Sequence, residues 1–170
     1  VSTLKGLNFY DPHTDDFDII TQYNGTEEEH QTINSDFINC IYCDDRMIWL
    51  GTESCGVNKI IKPAISVKNY VSNNNNPKSI SQGPVNSIYL DNDNVLWVGT
   101  VEGGLNRKEP NSNIFKTYTT RDGIAHNSVS CILPVDNNTL MLGTWGGGIS
   151  FFDKKAGRAI KNINVENELT

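Results

Sequence analysis

Four cysteines are among the few residues of this 170-residue chain that could do chemistry. Cys40 and Cys43 have the Cys-x-x-Cys spacing of zinc sites and redox-active disulfides. We expect both on one extended strand, where residues three apart point to opposite faces and their Cα atoms lie about 10 Å apart, too far for a disulfide. Zinc would need two more ligands, and the sequence holds no second Cys-x-x-Cys or histidine pair. We therefore predict four free thiols, with Cys40, Cys43 and Cys131 buried as small apolar side chains.

A second candidate site is acidic. Asp91 and Asp93, with Glu102 further along, are spaced like the ends of a calcium-binding loop. The middle does not fit, because Val95 stands where an oxygen ligand belongs and Leu96 where the loop requires glycine. We interpret the segment as a polar turn between two strands. The sequence predicts neither a metal nor a cofactor.

The usual catalytic groups are present but scattered. Adjacent carboxylates such as Asp15-Asp16 and Asp44-Asp45 are typical of solvated turns. All three histidines fall in expected loops, and none lies in a recognisable nucleophile motif: His13, His30 and His126. The sequence therefore predicts a protein that is not an enzyme.

A repeat determines where all these residues lie. Three short strands end in Gly-Thr: Ile48–Thr52, Leu96–Thr100 and Leu140–Thr144. Their glycines, Gly51, Gly99 and Gly143, lie 48 and 44 residues apart. A nearly fixed period in the forties is typical of β-structure repeated radially around an axis.

Each repeat predicts four antiparallel strands. The first carries a pair of apolar residues in every unit: Ile38 and Ile41, Val85 and Ile88, Val129 and Ile132. The Gly-Thr strand is the second, and a third starts at Gly56-Val57, Gly104-Leu105 and Gly148-Ile149. Tyr70 and Tyr118 mark the fourth, whose counterpart at 159–162 is faint. Because the strands are apolar on both faces, we expect sheets stacked as the blades of a propeller.

The predicted fold is therefore an all-β β-propeller fragment of about three and a half four-stranded blades. The expected parts are a half blade at 4–21, blades at 37–71, 85–119 and 129–162, and a tail at 163–170. We expect the half blade to hold only a third and a fourth strand, because Gly6-Leu7-Asn8 repeats Gly104-Leu105-Asn106. Asn73 to Asn76 is interpreted as a flexible, solvated connector between blades.

The second unit resembles the two-component regulator propeller repeat. The matching residues are Val85, Ile88, Asp91, Leu96 to Thr100, Gly103 to Leu105, Phe115, Tyr118 and Gly123 to Asn127. The likeness extends over residues 4 to 160, with departures at Cys55, where other units have glycine, and at Met141, where they have tryptophan. It implies the periplasmic sensor region of a bacterial hybrid two-component system histidine kinase. Members of that family typically hold two seven-bladed propellers, a further β-domain, a membrane span and a kinase.

Topology indicates where a ligand would bind. In a propeller, the turns between second and third strands and the links between blades open on one face, the usual binding face. On that face we expect the ligand-binding residues Trp145, Glu53, Glu102, Arg121, His126 and Asn127. Trp145 could stack on a sugar ring or could cover the neighbouring blade. We expect Trp49 and Trp97 in the core.

Charge and hydropathy limit the possible partners. A net charge of −6 and scattered basic residues disfavour nucleic acid. No apolar run in the sequence is long enough for a membrane helix, and no signal peptide is visible. An arc of blades leaves apolar faces open, which predicts self-association or the remainder of a longer propeller chain. The predicted function is a non-enzymatic sensor module that binds a small molecule or an oligosaccharide; the alternative is a propeller lyase or glycosidase acting on a carbohydrate or lactone.

Overall fold

The computed structural model describes residues 2–3, 5–21, 32–44, 46–54, 56–61 and 66–164. These residues form one three-stranded and three four-stranded antiparallel sheets, and their only helical element is a 3-10 helix at Thr120–Asp122. None of their helices is long and apolar enough to cross a membrane. The half blade consists of β1 (Ser2–Thr3), β2 (Gly6–Asp11) and β3 (Asp16–Ile20). Blade 1 consists of β4 (Ile38–Cys43), β5 (Met47–Thr52), β6 (Val57–Ile61) and β7 (Ser66–Tyr70).

Two further blades follow. Blade 2 consists of β8 (Val85–Leu90), β9 (Leu96–Thr100), β10 (Gly104–Lys108) and β11 (Phe115–Tyr118). Blade 3 consists of β12 (Val129–Pro134), β13 (Thr139–Thr144), β14 (Gly148–Asp153) and β15 (Arg158–Ile163). Strands that follow one another in sequence are paired in every sheet. The first strands β4, β8 and β12 contact one another in turn, so the blades meet along a shared inner edge. The chain is thus an arc of a β-propeller, as predicted.

The glycine of each Gly-Thr pair allows one blade to approach the next. A methyl group on Gly51 would overlap Cγ1 of Val85, the first residue of blade 2. One on Gly99 would lie 2.7 Å from the carbonyl oxygen of Val129, the first residue of blade 3. Any side chain at these positions would therefore push neighbouring blades apart.

The threonine that follows the glycine closes the turn to the third strand. Its hydroxyl donates to the carbonyl oxygen of the glycine four residues on, from Thr52 to Gly56 at 2.9 Å and from Thr100 to Gly104 at 3.1 Å. Thr144 repeats the bond to Gly148 at 2.9 Å. The Gly-Thr signature thus combines a close approach between blades with a fixed turn.

Apolar side chains fill the spaces between blades. Leu96 and Val98 of β9 pack toward blade 1, whereas Trp97 between them packs with residues of blade 3 such as Leu142 and Phe152. Trp97 is fully buried and Trp49 is 3% exposed, which confirms both as core residues. A strand buried on both faces explains why its sequence is apolar throughout rather than alternating.

In each of the three whole blades, a buried polar side chain on the third strand holds the link that precedes the blade. Asn58 and Asn106 accept hydrogen bonds at 2.9 Å from the backbone N–H groups of Asn34 and Ser81. Ser150, at the same position in blade 3, accepts one from Ala125 at 2.9 Å. All three polar side chains are fully buried. These bonds fix the path of each link over the end of the sheet.

The amino-terminal sheet corrects one expectation. Ser2–Thr3 pairs with β2, with Thr3 opposite Gly6, just as Thr100 lies opposite Gly104. The half blade therefore includes the end of a second strand, contrary to the prediction from the sequence. The turn from Thr3 to Gly6 is one residue shorter than the turn from Thr100 to Gly104, which hides the correspondence in the sequence.

The cysteines correct a second expectation, that of burial. Cys40 and Cys43 lie on β4 with opposite orientation, and neither they nor Cys131 is in a disulfide. Cys43 and Cys131 are exposed rather than buried. Cys131 lies opposite Gly143 as Cys40 lies opposite Gly51, but no described blade follows blade 3 to cover it. Cys43 holds the repeat position of buried Leu90, but the described half blade does not cover it. Cys40 is partly covered by blade 2, and burial raises the pKa of its thiol to about 12. Cys55 lies outside the described residues.

Candidate functional site

The strand turns and the links meet on one side of the arc, which we call the link face. It comprises the turns after β5, β9 and β13 and the links at 32–37, 71–84 and 119–128. Backbone N–H groups of Glu53, Val101 and Trp145 donate to carbonyl oxygens of Phe37, Pro84 and Ser128 at 3.1, 2.9 and 3.0 Å. Each turn is thereby tied to the residue before its own blade.

Buried Ser128 brings together several residues predicted for a site. Its hydroxyl donates to Oε1 of Glu102 at 2.7 Å, and its backbone N–H donates to Nδ1 of His126 at 3.0 Å. Its carbonyl oxygen accepts a hydrogen bond from the backbone N–H of Trp145. Asn127 binds the backbone of Thr120 through its side chain. The carboxylate of Glu102 and the imidazole of His126 are thus held in place before any ligand arrives.

The other predicted residues stand apart from this cluster. The side chain of Trp145 is 64% exposed, so the indole does not cover a described blade. Arg121 lies exposed on the 3-10 helix, and Glu53 lies exposed in the turn of blade 1. Neither of these two side chains hydrogen-bonds to a described residue. The structure therefore gathers Glu102, His126, Asn127 and the backbone of Trp145 around Ser128, and leaves Glu53 and Arg121 outside.

The link face also holds a cavity that the sequence analysis missed. About 620 Å³ in volume, it is lined by Asn34, Ser54, Val71, Ser72, Asn73, Asn74, Asn75 and Gln82. The segment that we expected to be a flexible connector forms a hydrogen-bonded turn here. Asn73 accepts the N–H of Asn75 at 2.9 Å, and Ser79 binds the carbonyl oxygens of both Asn73 and Asn76. The run of asparagines in the sequence could have indicated this cavity. These residues line it only because the segment folds into the hydrogen-bonded turn.

The opposite face of the arc carries the acidic turn. Oδ2 of Asp91 accepts the indole N–H of Trp97 at 3.1 Å and pairs with Lys154 of blade 3 at 3.0 Å. Burial by itself would raise the pKa of the Asp91 carboxyl, but these hydrogen bonds and one from the backbone of Val95 hold it below its ordinary value. Glu102 lies beyond the other end of β9. Asp91 thus caps a turn and bridges blades 2 and 3.

No three His, Cys, Asp or Glu side chains in the described part of the chain are grouped so that they could hold a metal ion. The amide and hydroxyl groups of the link-face cavity are hydrogen-bonding groups without a formal charge. They suit a neutral ligand rich in hydroxyl groups better than an ion.

Comparison with protein families identifies the repeat. Residues 79–102 match the family described as two component regulator propeller. The matched stretch contains the first strand of blade 2, the acidic turn and Leu96 to Thr100, which are residues that carried the resemblance in the sequence. This stretch is therefore similar to a two-component regulator propeller repeat, which confirms the resemblance seen in the sequence. No curated protein matches the chain significantly.

Solved structures share the fold. The extracellular domain of BT3049 from B. thetaiotaomicron, described as a hybrid two component system, superposes with a TM-score of 0.84 at 22% identity over 96% of this chain. That of BT4673 from the same organism gives 0.55 at 19% identity over 98%. PorZ, a surface component of the type-IX secretion system of Porphyromonas gingivalis, gives 0.56 at 20% identity over 70%. The chain spans 23%, 30% and 18% of these three structures, respectively.

Paired tryptophan substitutions separate the core from the face. Trp97→Ala removes a fully buried side chain and should cost about 3 to 5 kcal/mol of unfolding free energy, because a cavity opens between blades 2 and 3. Trp145→Ala removes an exposed one and should leave the melting temperature within a few degrees. Thermal and urea unfolding followed by circular dichroism measure both. Equal destabilisation by the two substitutions would contradict the assignment of Trp145 to an open face.

Proposed function

We propose that the chain is part of the periplasmic sensor region of a two-component signalling protein and acts by binding rather than catalysis. The match of residues 79–102 to the regulator propeller family carries this proposal. The extracellular domains of the two B. thetaiotaomicron proteins support it by their fold. PorZ has the same fold and belongs to a secretion system, so the fold by itself does not specify signalling.

The ligand we propose is a neutral oligosaccharide bound on the link face. Sugar hydroxyl groups both donate and accept hydrogen bonds, as do the amides of Asn74, Asn75 and Gln82 and the hydroxyl of Ser72 in the cavity wall. The exposed indole of Trp145 on the same face offers a flat apolar surface for a sugar ring. Glu102, fixed by Ser128, would supply an oriented acceptor beside it. His126 would supply an oriented Nε2–H donor, because its Nδ1 already accepts the N–H of Ser128.

Calorimetric titration with a panel of neutral oligosaccharides tests this site. The double variant Asn74→Ala/Gln82→Ala removes two exposed amides that make no hydrogen bond within the described structure, so it should keep the fold and weaken binding about tenfold or more. Asn92→Ala, an exposed turn residue on the opposite face, is the matched control and should bind as the parent does. If the double variant and the Asn92→Ala control weakened binding equally, or if neither weakened it, the ligand would bind elsewhere.

A propeller lyase or glycosidase is the alternative function. Product analysis of the same oligosaccharides after incubation with the chain separates the two. We expect the glycans to be recovered intact, since Glu102 is tied to the hydroxyl of Ser128 and His126 to its backbone N–H. Shortened or unsaturated products that disappear in a Glu102→Gln variant would establish catalysis instead.

We further propose that other blades cover the two ends of the arc. Tyr10, Phe17 and Ile19 on the half blade are each at least half exposed, and so is Ile160 on blade 3. A methyl group on Gly143 would meet nothing closer than 3.3 Å, whereas the equivalent positions Gly51 and Gly99 are filled by a neighbouring blade. The much longer similar structures are consistent with blades supplied by the rest of a longer polypeptide.

Light scattering tests this proposal on the isolated chain. With its apolar ends uncovered, the chain should self-associate as its concentration rises, because such faces exceed what monomers ordinarily expose. Polar substitution of Phe17 and Ile19 should shift the equilibrium toward the monomer. A folded monomer at all accessible concentrations would contradict the proposal.

A further inference from the structure

The two junctions between whole blades differ at one repeat position. At the second junction, between blades 2 and 3, Phe152 packs against Trp97 and Tyr118, with ring centroids 5.9 and 4.9 Å apart. At the first junction, between blades 1 and 2, the same position holds Lys108: it lies opposite Leu96, as Phe152 lies opposite Leu140. Its Nζ lies 5.3 Å from the centroid of Tyr70. A cation thus replaces an aromatic ring.

Two more lysines converge on the first junction. Lys59 and Lys68 lie opposite each other on β6 and β7, with their Nζ atoms 5.3 and 5.2 Å from the rings of Trp49 and Tyr70. None of the three lysines forms an ion pair with a described residue, and the neighbouring Glu109 pairs with Arg107 at 2.7 Å. Three like charges therefore gather here, and the carboxylate near Lys108, that of Glu109, is paired with Arg107.

Lys108 is the least exposed of the three. Only 4% of its surface is accessible, and its Nζ donates one hydrogen bond, to the carbonyl oxygen of Glu109 at 3.1 Å. Burial lowers the pKa of Lys108, and the charges of Lys59 and Lys68 lower it further. An ammonium group has three donors, so two remain for another acceptor.

The indole of Trp49 also lacks an acceptor. Its Nε1 is shielded from water and has no hydrogen-bond partner in the described structure. At the second junction, one carboxylate oxygen of Asp91 accepts both the indole N–H of Trp97 and the ammonium of Lys154. Asp44, which begins the equivalent turn in blade 1, uses its Oδ1 for the N–H groups of Arg46 and Met47. Among the described residues, the first junction thus keeps the indole and ammonium donors, and no carboxylate accepts from either of them.

A cavity lies where that oxyanion would fit. It measures about 200 Å³, and its wall includes Met47, Trp49, Lys59, Leu96, Lys108 and Pro110. Pro110 stands at the position that Lys154 occupies in blade 3, so the bridging ion pair of the second junction has no equivalent here. The space is large enough for a tetrahedral anion or a carboxylate group. Its charged wall groups, Lys59 and Lys108, are both cations, and the amide of Asn94 is the other polar side chain beside the indole of Trp49.

We propose that this cavity binds a small oxyanion, a sulfate, phosphate or carboxylate group, between the ammonium of Lys108 and the indole N–H of Trp49. Lys59 would add a second positive charge at the rim. The site lies on the side of the arc opposite the link face, so it is separate from the proposed oligosaccharide site. A bound anion would join blades 1 and 2 as Asp91 joins blades 2 and 3.

Nuclear magnetic resonance of the ¹⁵N-labelled 170-residue chain tests the site directly. Sodium sulfate, sodium phosphate and sodium acetate are titrated separately against sodium chloride at constant ionic strength, and the indole N–H signals of the three tryptophans are followed. The signal of Trp49 should shift saturably with at least one oxyanion, because a new hydrogen bond deshields the proton. The signal of Trp97, already bound to Asp91, should stay in place. The proposal would be overturned if the Trp49 signal did not shift with any of the three oxyanions, or if it shifted equally with chloride.

Two variants assign the shift to the cavity. Lys108→Met keeps a long unbranched side chain without the charge and should weaken anion binding about tenfold or more. Lys108→Phe fills the position as Phe152 does and should abolish binding while the chain stays folded. Lys116→Met is the matched control, since it removes an exposed lysine at the repeat position of Lys68 and should leave the affinity unchanged. Equal affinity in the parent and in Lys108→Met, or an equal loss in Lys116→Met, would contradict the site.

Discussion

The close approach of one blade to the next, at a strand position that has no side chain, is the constraint on which the structure depends. Blade 2 places Val85 against Gly51, and blade 3 places Val129 against Gly99. Only with these contacts do the apolar faces of neighbouring sheets come close enough to exclude water. A sheet that is apolar on both faces is not stable alone in water, so each blade needs a neighbouring blade. The repeat period in the sequence therefore reflects the regular spacing of these contacts between blades.

The two faces of the arc follow from that stacking. On the link face, the buried side chains of Asn58, Asn106 and Ser150 hold the links, so the loops that could bind a ligand start from fixed positions. On the opposite face, the two junctions between whole blades contain different side chains. One is bridged by Asp91 and Lys154, and the other contains Lys108 beside a cavity. The same architecture thus forms two cavities with different linings, one with uncharged amides and one with two lysines.

Much of the fold could be predicted because the repeat reports it directly. Glycine, threonine and the apolar pairs have one role in every blade, so their spacing gave the strands and the burial of Trp49 and Trp97. Exposure was less predictable. Cys43 and Cys131 hold the repeat positions of Leu90 and Cys40, which face a neighbouring blade, and they are exposed because the described residues supply no blade that covers them. The site was predictable only in part: topology placed Trp145 and Glu102 on one face, but the lining role of Asn73 to Asn75 depends on a turn that composition does not specify.

A double-mutant cycle at Gly51 and Val85 measures the central contact most directly. In a Cys40→Ala background, which removes the other side chain near Gly51, Gly51→Ala should cost about 1 to 3 kcal/mol because the new methyl group overlaps Val85. Val85→Ala removes the overlapping atom, so in the double variant that cost should fall by about 1 kcal/mol or more, measured by urea unfolding. Additive costs, within about 0.5 kcal/mol, would show that the two residues do not meet and would contradict the stacking of blades on their glycines.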